Sequence, residues 1–269
     1  EIPLTTRRLK AVWASLMLSS SLLAAFVVSR ESALYATGPP AALMAIWLIG
    51  IGDLMFCGNL AGLVINLSVL GAWLLLNEKY PWLAVACLGS SLLLKPQDAG
   101  FVWLFFLISP NPFRKRALQA LALVGVVAAA SLLWISSTAP DWARELSANL
   151  QRLSGPGGFN DPGAHNVAGI ISLQAVLSAY KNDSHFYNPV SFILSGGLIA
   201  LLFIRIARTS FSRQSAWIAL ASLSALTMLP VYHRLYDARL LLLTVPACAL
   251  IWRDYRWKWT GFVLNVAGM

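Results

Sequence analysis

Long apolar runs, separated by short clusters of basic residues, leave this chain few ways to fold. A helix needs about 20 apolar residues to cross a hydrocarbon core. Runs close to that length lie at 11–29, 60–76, 117–138, 190–207 and 215–232, with a slightly short one at 239–252. In lipid, backbone N–H and C=O groups have no water to bond, which favours helices that satisfy them internally. Hydrophobic residues fill 58% of the 269 positions and charged ones only 12%, and soluble domains carry about twice that charge. The expected fold is therefore all-α, a polytopic transmembrane helical bundle with short re-entrant or broken helices, forming a single transmembrane domain over 1–269.

The net charge of +9 raises the question of nucleic acid. The basic residues fall between apolar runs rather than along one stripe, so they read as membrane topology and no nucleic-acid partner is expected. Basic loops face the cytoplasm, which puts Arg7/Arg8/Lys10, Arg114/Lys115/Arg116, Arg205/Arg208/Arg213 and Arg253/Arg256/Lys258 on the inner side. The polar segment 139–189 and the short 233–238 then lie outside. Within the outer loop, Trp142, Leu146, Leu150 and Leu153 recur at helical spacing over 141–153, as in a helix lying on the membrane interface. The following 154–163, rich in Gly and Pro, reads as a flexible loop.

The first half is less regular. Residues 81–109 form either one long broken helix or two short ones turning near 95–98. Pro96 removes a backbone donor and pushes Lys95 out of helical geometry, which favours the hairpin and returns Lys79 and Arg114 to one side. Segment 41–57, broken by Gly50, Gly52 and Asp53, then reads as a dip into the outer leaflet. Cys57, Cys87 and Cys248 sit in apolar stretches without paired or metal-ligand spacing and read as core residues. No small-residue cleavage site follows Arg7, Arg8 and Lys10, so no signal peptide is expected, and a chain beginning at Glu1 reads as part of something longer.

Three polar constellations are candidate sites. The first is Lys95-Pro96-Gln97-Asp98 inside an apolar stretch. An ionisable residue at membrane depth costs at least ~2.5 kcal/mol and so points to function, although a self-neutralising Lys95–Asp98 pair ending two helices is the plain alternative. The second, Tyr232-His233-Arg234-Leu235-Tyr236-Asp237-Ala238-Arg239, packs cations, an imidazole and a carboxylate together, which suits a phosphate and its sugar. Its arginines and tyrosines also suit plain interface anchors. The third is the outer loop, with Asn160, Asp161, His165 and Asn166, then Lys181, Asn182, Asp183 and His185. Such side chains are commonly just solvated. The three histidines lie far apart and no HxxxH or DxD pattern occurs, so no metal or other cofactor is expected. There is no phosphate-binding Gly loop and no nucleophile elbow.

In order, Gly58-Asn59 before an apolar helix, then LGSSLLLKPQDAGFVWLFFL with Lys95-Pro96, a basic turn, and the late LPVYHRLYDARLLLL resemble glycosyltransferase family 87 over about 10–252. The resemblance implies a GT-C membrane fold. It also implies transfer of a sugar, commonly mannose, from a polyprenyl-phosphate donor to a glycolipid or glycan acceptor on the outer face of a bacterial inner (plasma) membrane, in a multi-pass protein. The family's catalytic carboxylate is expected in a first outer loop ahead of residue 1, so no general base is assigned here. Lys95, His233 and Arg239 are expected to hold the donor phosphate without a metal, and Gln97, Asp98, Tyr236, Asp237, His165 and Asn166 to contact sugar or acceptor.

A transporter or flippase of a lipid-linked sugar is the main rival, since broken helices with buried charges also line transport paths. Such a protein often shows matching breaks in two halves, and the Lys-Pro break has no evident partner near 215–252. A noncatalytic membrane scaffold is the third reading.

Overall fold

The computed structural model describes residues 4–36, 39–50, 59–155, 157–158, 160–163 and 169–253. It is an all-α helical membrane bundle. Its elements are α1 (Leu4–Ser32), α2 (Pro39–Gly50), α3 (Ala61–Leu76), α4 (Pro81–Leu94), α5 (Pro96–Ile108), α6 (Phe113–Thr138), α7 (Trp142–Ser154), β1 (Ile170–Ile171), α8 (Leu173–Tyr180), α9 (Ser184–Arg208), α10 (Arg213–Thr227), β2 (His233–Arg234), a 3₁₀ helix (Leu235–Thr244) and α11 (Val245–Arg253). Among the described residues, four helical stretches are long and apolar enough to cross a membrane: 8–32, 113–138, 184–208 and 235–253. The last reaches that length partly through its winding. Ten residues at about 2.0 Å and nine at about 1.5 Å give about 33 Å.

The runs expected at 60–76 and 215–232 are shorter as helices. α3 has 16 residues and α10 has 15, about 24 and 22 Å at 1.5 Å per residue, less than a hydrocarbon core. α10 stops at Thr227 because residues 228–230 turn into Pro230, which has no N–H to continue a helix. α3 is instead the buried centre of the bundle, with Val64, Ile65, Val69 and Ala72 fully enclosed. Around it Trp217, Phe105, Phe106, Leu88 and Leu240 complete one core. α6 is the opposite case. Its Leu132, Leu133 and Trp134 are bare, an apolar surface of the kind that lipid covers without cost.

The hairpin reading of 81–109 holds. Lys95 leaves helical geometry at φ −153° and ψ 81°, ending α4 and starting α5. At the other end of the hairpin Arg116 stacks over Trp82, 5.5 Å from its centroid, and Trp103 Nε1 donates to Ala117 O at 2.9 Å, so both helices start or finish beside the start of α6. Glycines let these helices approach closely: a Cβ on Gly71 would lie 3.3 Å from Leu88 N, and one on Gly89 3.3 Å from Ala120 O. Of the expected dip at 41–57, residues 41–50 belong to α2 and the rest lie outside the described residues.

One topological expectation fails. α1 runs parallel to α3: Asn66 Nδ2 donates to Ser20 and Ser21 at 3.0 Å, and farther along both helices Glu31 and Asn77 meet the same Arg213 guanidinium. The start of α1, with exposed Arg8 and Lys10, therefore lies at the opposite end of the bundle from Arg213, Arg205, Arg116 and Arg253. A loop-charge count could not see this, because the buried Glu31 carboxylate fixes the direction of α1.

Candidate functional site

Two helix starts build the site. Pro96 occupies the first turn of α5 with Asp98 three positions after Lys95, and Asp237 stands three positions after Arg234 at the start of the 3₁₀ helix. A carboxylate in a helix first turn is held by the free N–H groups and the positive end of the helix dipole. Asp237 Oδ2 accepts from the Arg234 N–H at 2.9 Å. The short antiparallel pair β1–β2, with Ile170 opposite Arg234 and Ile171 opposite His233, fixes the chain that leads into the second start.

The fold brings these starts together across 142 residues of sequence. Lys95 Nζ lies 2.5 Å from Asp237 Oδ1 and 2.8 Å from Asp98 Oδ2. His233 Nδ1 faces Asp98 Oδ1 at 3.3 Å and Asp237 Oδ2 at 3.5 Å, and its Nε2 meets Thr227 O at 3.0 Å. Asp98 and His233 are wholly buried. The Asp98 oxygens and His233 Nδ1 are ion-paired yet lack well-aligned hydrogen bonds, so electrostatics rather than directed bonding holds them. Lys95 also lies over the Tyr236 ring, 5.7 Å from its centroid. Of the expected Lys95–Asp98 pair, the simple self-neutralising version is thus incomplete: the pair is half of a four-group cluster.

Burial acts to lower the His233 pKa, but its contacts with Asp237 and Asp98 outweigh it and raise the value to about 9. The imidazole is then protonated at neutral pH, and two cations balance two carboxylates. Because the folded value exceeds the ordinary 6.5, this stabilisation is complete below pH 6.5 and is lost as pH rises through about 9. Thermal unfolding in detergent across that window should show stability falling in the wild type and a flatter profile in His233→Gln; parallel profiles would contradict the charged imidazole.

Asp98, His233 and Asp237 each offer a ligand atom within 4.8 Å of one another, a set that a divalent cation could use. Sequence spacing gave no hint of it. Lys95 already pairs with both carboxylates, so a metal would have to displace its ammonium. Arg239 is buried two positions beyond Asp237, on another face of a helix with three residues per turn. Gln97 is exposed beside Lys95.

The outer-loop candidates do not join this cluster in any described contact. Asp161 accepts from the N–H groups of Gly157 and Gly163 at 2.7 and 2.9 Å, Asn182 donates to Gly163 O at 3.1 Å, and Lys181 pairs with Asp183 at 3.3 Å in solvent. Asp183 caps α9 through the His185 N–H. His165 and Asn166 lie outside the described residues. Asn160, Asp161 and Asn182 instead line a cavity together with Tyr232.

Sequence reasoning missed Glu31. It is buried at the other end of the bundle, bonded by Arg213 through Nε at 2.7 Å and through Nη2, by Trp217 Nε1 at 2.9 Å and by the Tyr35 hydroxyl at 2.9 Å. An acid closing an apolar run was the available signal. These partners tie α1 to α10 and, through Asn77, to the end of α3, which is a structural clasp.

Comparison with known proteins leaves the reading to the geometry, as no family model, no curated protein and no solved structure matches the chain.

Proposed function

We propose that this protein is a membrane glycosyltransferase of the GT-C type, moving a sugar, in the first instance mannose, from a polyprenyl-phosphate donor to a glycolipid or glycan acceptor at the outer face of the membrane. The observation that carries it is the buried Lys95–Asp98–His233–Asp237 cluster, at the same end of the bundle as β1 of the 139–189 segment, in a bundle with helices long and apolar enough to cross a membrane.

In such a reaction the acceptor hydroxyl forms a bond to the anomeric carbon as that carbon's bond to the phosphate oxygen breaks. The lipid phosphate leaves with the electron pair, and the hydroxyl proton passes to a base. A cation held in place before the reaction stabilises the departing phosphate without reorganising. Lys95 suits this work. Its ammonium has three protons, donates one to Asp237, lies 2.8 Å from Asp98 and keeps 18% side-chain exposure, so donor capacity remains for an incoming oxygen. Tyr236 and the exposed Gln97 flank that opening and would meet the sugar. His233, enclosed with both ring nitrogens facing protein oxygens, acts as a positioning residue that holds Asp98 and Asp237 rather than as a phosphate ligand. No general base is assigned among the described residues.

A transporter or flippase of the same lipid-linked sugar has one observation in its favour. The chain breaks at 228–234 and restarts as the 3₁₀ helix directly against the Lys95 break, so the broken hairpin does have a partner within 215–252.

Radiolabelled polyprenyl-phosphate-mannose, supplied to membranes containing the full chain, separates the two. Label recovered in a new glycosidic linkage, with the rate unchanged by a chelator because Lys95 supplies the cation, is the expected result. Label that crosses the membrane still attached to its lipid, with no new linkage, would establish the transporter, and loss of transfer on chelation would assign Asp98, His233 and Asp237 to a metal.

A further inference from the structure

Next to the approach to β2 lies a cavity of about 630 Å³ between the 160–163 turn, α8, the start of α9 and Tyr232, within the about 300–1,000 Å³ range of small-molecule sites. We infer that this cavity is a binding site for a neutral saccharide, the acceptor of the proposed transfer, recognised by the carboxamides Asn160, Gln174, Asn182 and Asn188 and by the phenols Tyr187 and Tyr232. The inference rests on the transferase reading for what the bound sugar does, and not for its being bound.

The chemistry of the walls selects the ligand. Among the described lining residues there is neither Lys nor Arg to receive a phosphate or carboxylate, and one carboxylate, Asp161, is already engaged with two backbone N–H groups. A lipid tail is disfavoured by so many amide groups. Sugar hydroxyls donate and accept at once, and so does each carboxamide. Gln174 Nε2 donates to Asn188 Oδ1 at 2.9 Å, which fixes the two amides together and turns an acceptor, Gln174 Oε1, and a donor, Asn188 Nδ2, to other use. Tyr187, Phe192 and Tyr232 add ring surfaces of the kind that pack against the C–H faces of pyranoses.

The site is built on rigid elements. Gln174 follows the Ser172 cap of α8, and the Leu173 N–H donates to Leu229 O at 3.0 Å, so α8 is tied to the segment carrying Tyr232. Asn188 stands in the first turns of α9, one residue before Pro189. Ser178, on α8, donates to Pro162 O at 2.7 Å and holds the 160–163 turn in place. Tyr232 directly precedes His233, the first residue of β2. The cavity wall at Tyr232 is therefore one residue along the chain from His233 of the ion cluster.

Saturation-transfer NMR on the detergent-solubilised full chain, with a panel of methyl glycosides of mannose, glucose, galactose and N-acetylglucosamine at millimolar concentration, tests this directly. At least one glycoside should give saturation transfer with wild type, and its Kd should rise about three- to tenfold in Asn188→Ala and Gln174→Ala, the size of one neutral hydrogen bond. Should either variant fail to fold, Tyr232→Phe keeps the ring, removes one hydroxyl and should show the same weakening. No saturation transfer from any glycoside to folded wild type, or equal affinity in wild type and folded variants, overturns the site. Binding without any sugar transfer would remove the transferase reading and leave the site standing.

Discussion

Lys95→Met should lower stability by about 3–5 kcal/mol and abolish sugar transfer. The side chain keeps its length, but Asp98 and Asp237, 1% and 3% exposed at their side chains, are left to share the single positive charge of His233. Removing one partner of a buried ion pair costs that much because the remaining charge has neither water nor a counterion. Lys95→Arg should do better on charge and worse on geometry, since a planar guanidinium does not place its donors where an ammonium at 2.5 and 2.8 Å does. Unfolding in detergent and transfer in membranes, measured on the same preparations, check both parts.

The second large effect lies at the opposite end of the bundle. Arg213→Ala should cost about 2–4 kcal/mol, because Glu31 stays buried at 1% exposure with, among the described residues, Trp217 and Tyr35 as its remaining side-chain donors; the figure is held below that for Lys95 since the Arg213 side chain is itself 36% exposed. Glu31→Gln combined with Arg213→Ala should be less destabilising than Arg213→Ala alone, as the neutral amide needs no counterion. If the double variant is as unstable as the single, the clasp is packing and not charge. Transfer per folded molecule should change little in either, which separates this clasp from the Lys95 cluster.

What the sequence made legible is what local chemistry decides. Pro96 announced the break at Lys95, since it alters the backbone of its neighbour whatever the rest of the fold does. Trp142, Leu146, Leu150 and Leu153 announced α7 through their spacing. The Lys-Pro-Gln-Asp and His-Arg-Leu-Tyr-Asp segments stood out because charges in apolar surroundings are costly. That they form one cluster is written in neither segment, because Lys95–Asp237 contact depends on how α3, α4, α5 and the 3₁₀ helix pack.

The unread parts are those set by distant partners. The direction of α1 depends on Glu31 meeting Arg213 across 182 residues, which no loop-charge rule contains. Two-residue strands carry too little pattern to be seen, yet β1–β2 positions His233. The run at 215–232 read as one span because hydropathy averages over Pro230, whereas the backbone cannot. The loop residues Asn160, Asp161 and Asn182 looked like ordinary solvated positions until α8 and α9 closed a cavity against them.

The central claim is that the Lys95 charge serves transfer and not only folding. The most direct test compares Lys95→Met with the charge-compensated pair Lys95→Met/Asp98→Asn, in which His233 and Asp237 remain as a balanced pair. The account predicts that the second substitution restores most of the thermal stability while transfer from polyprenyl-phosphate-mannose stays absent. Recovery of transfer together with stability would contradict it, and would leave the cluster as a structural bolt between two helix starts.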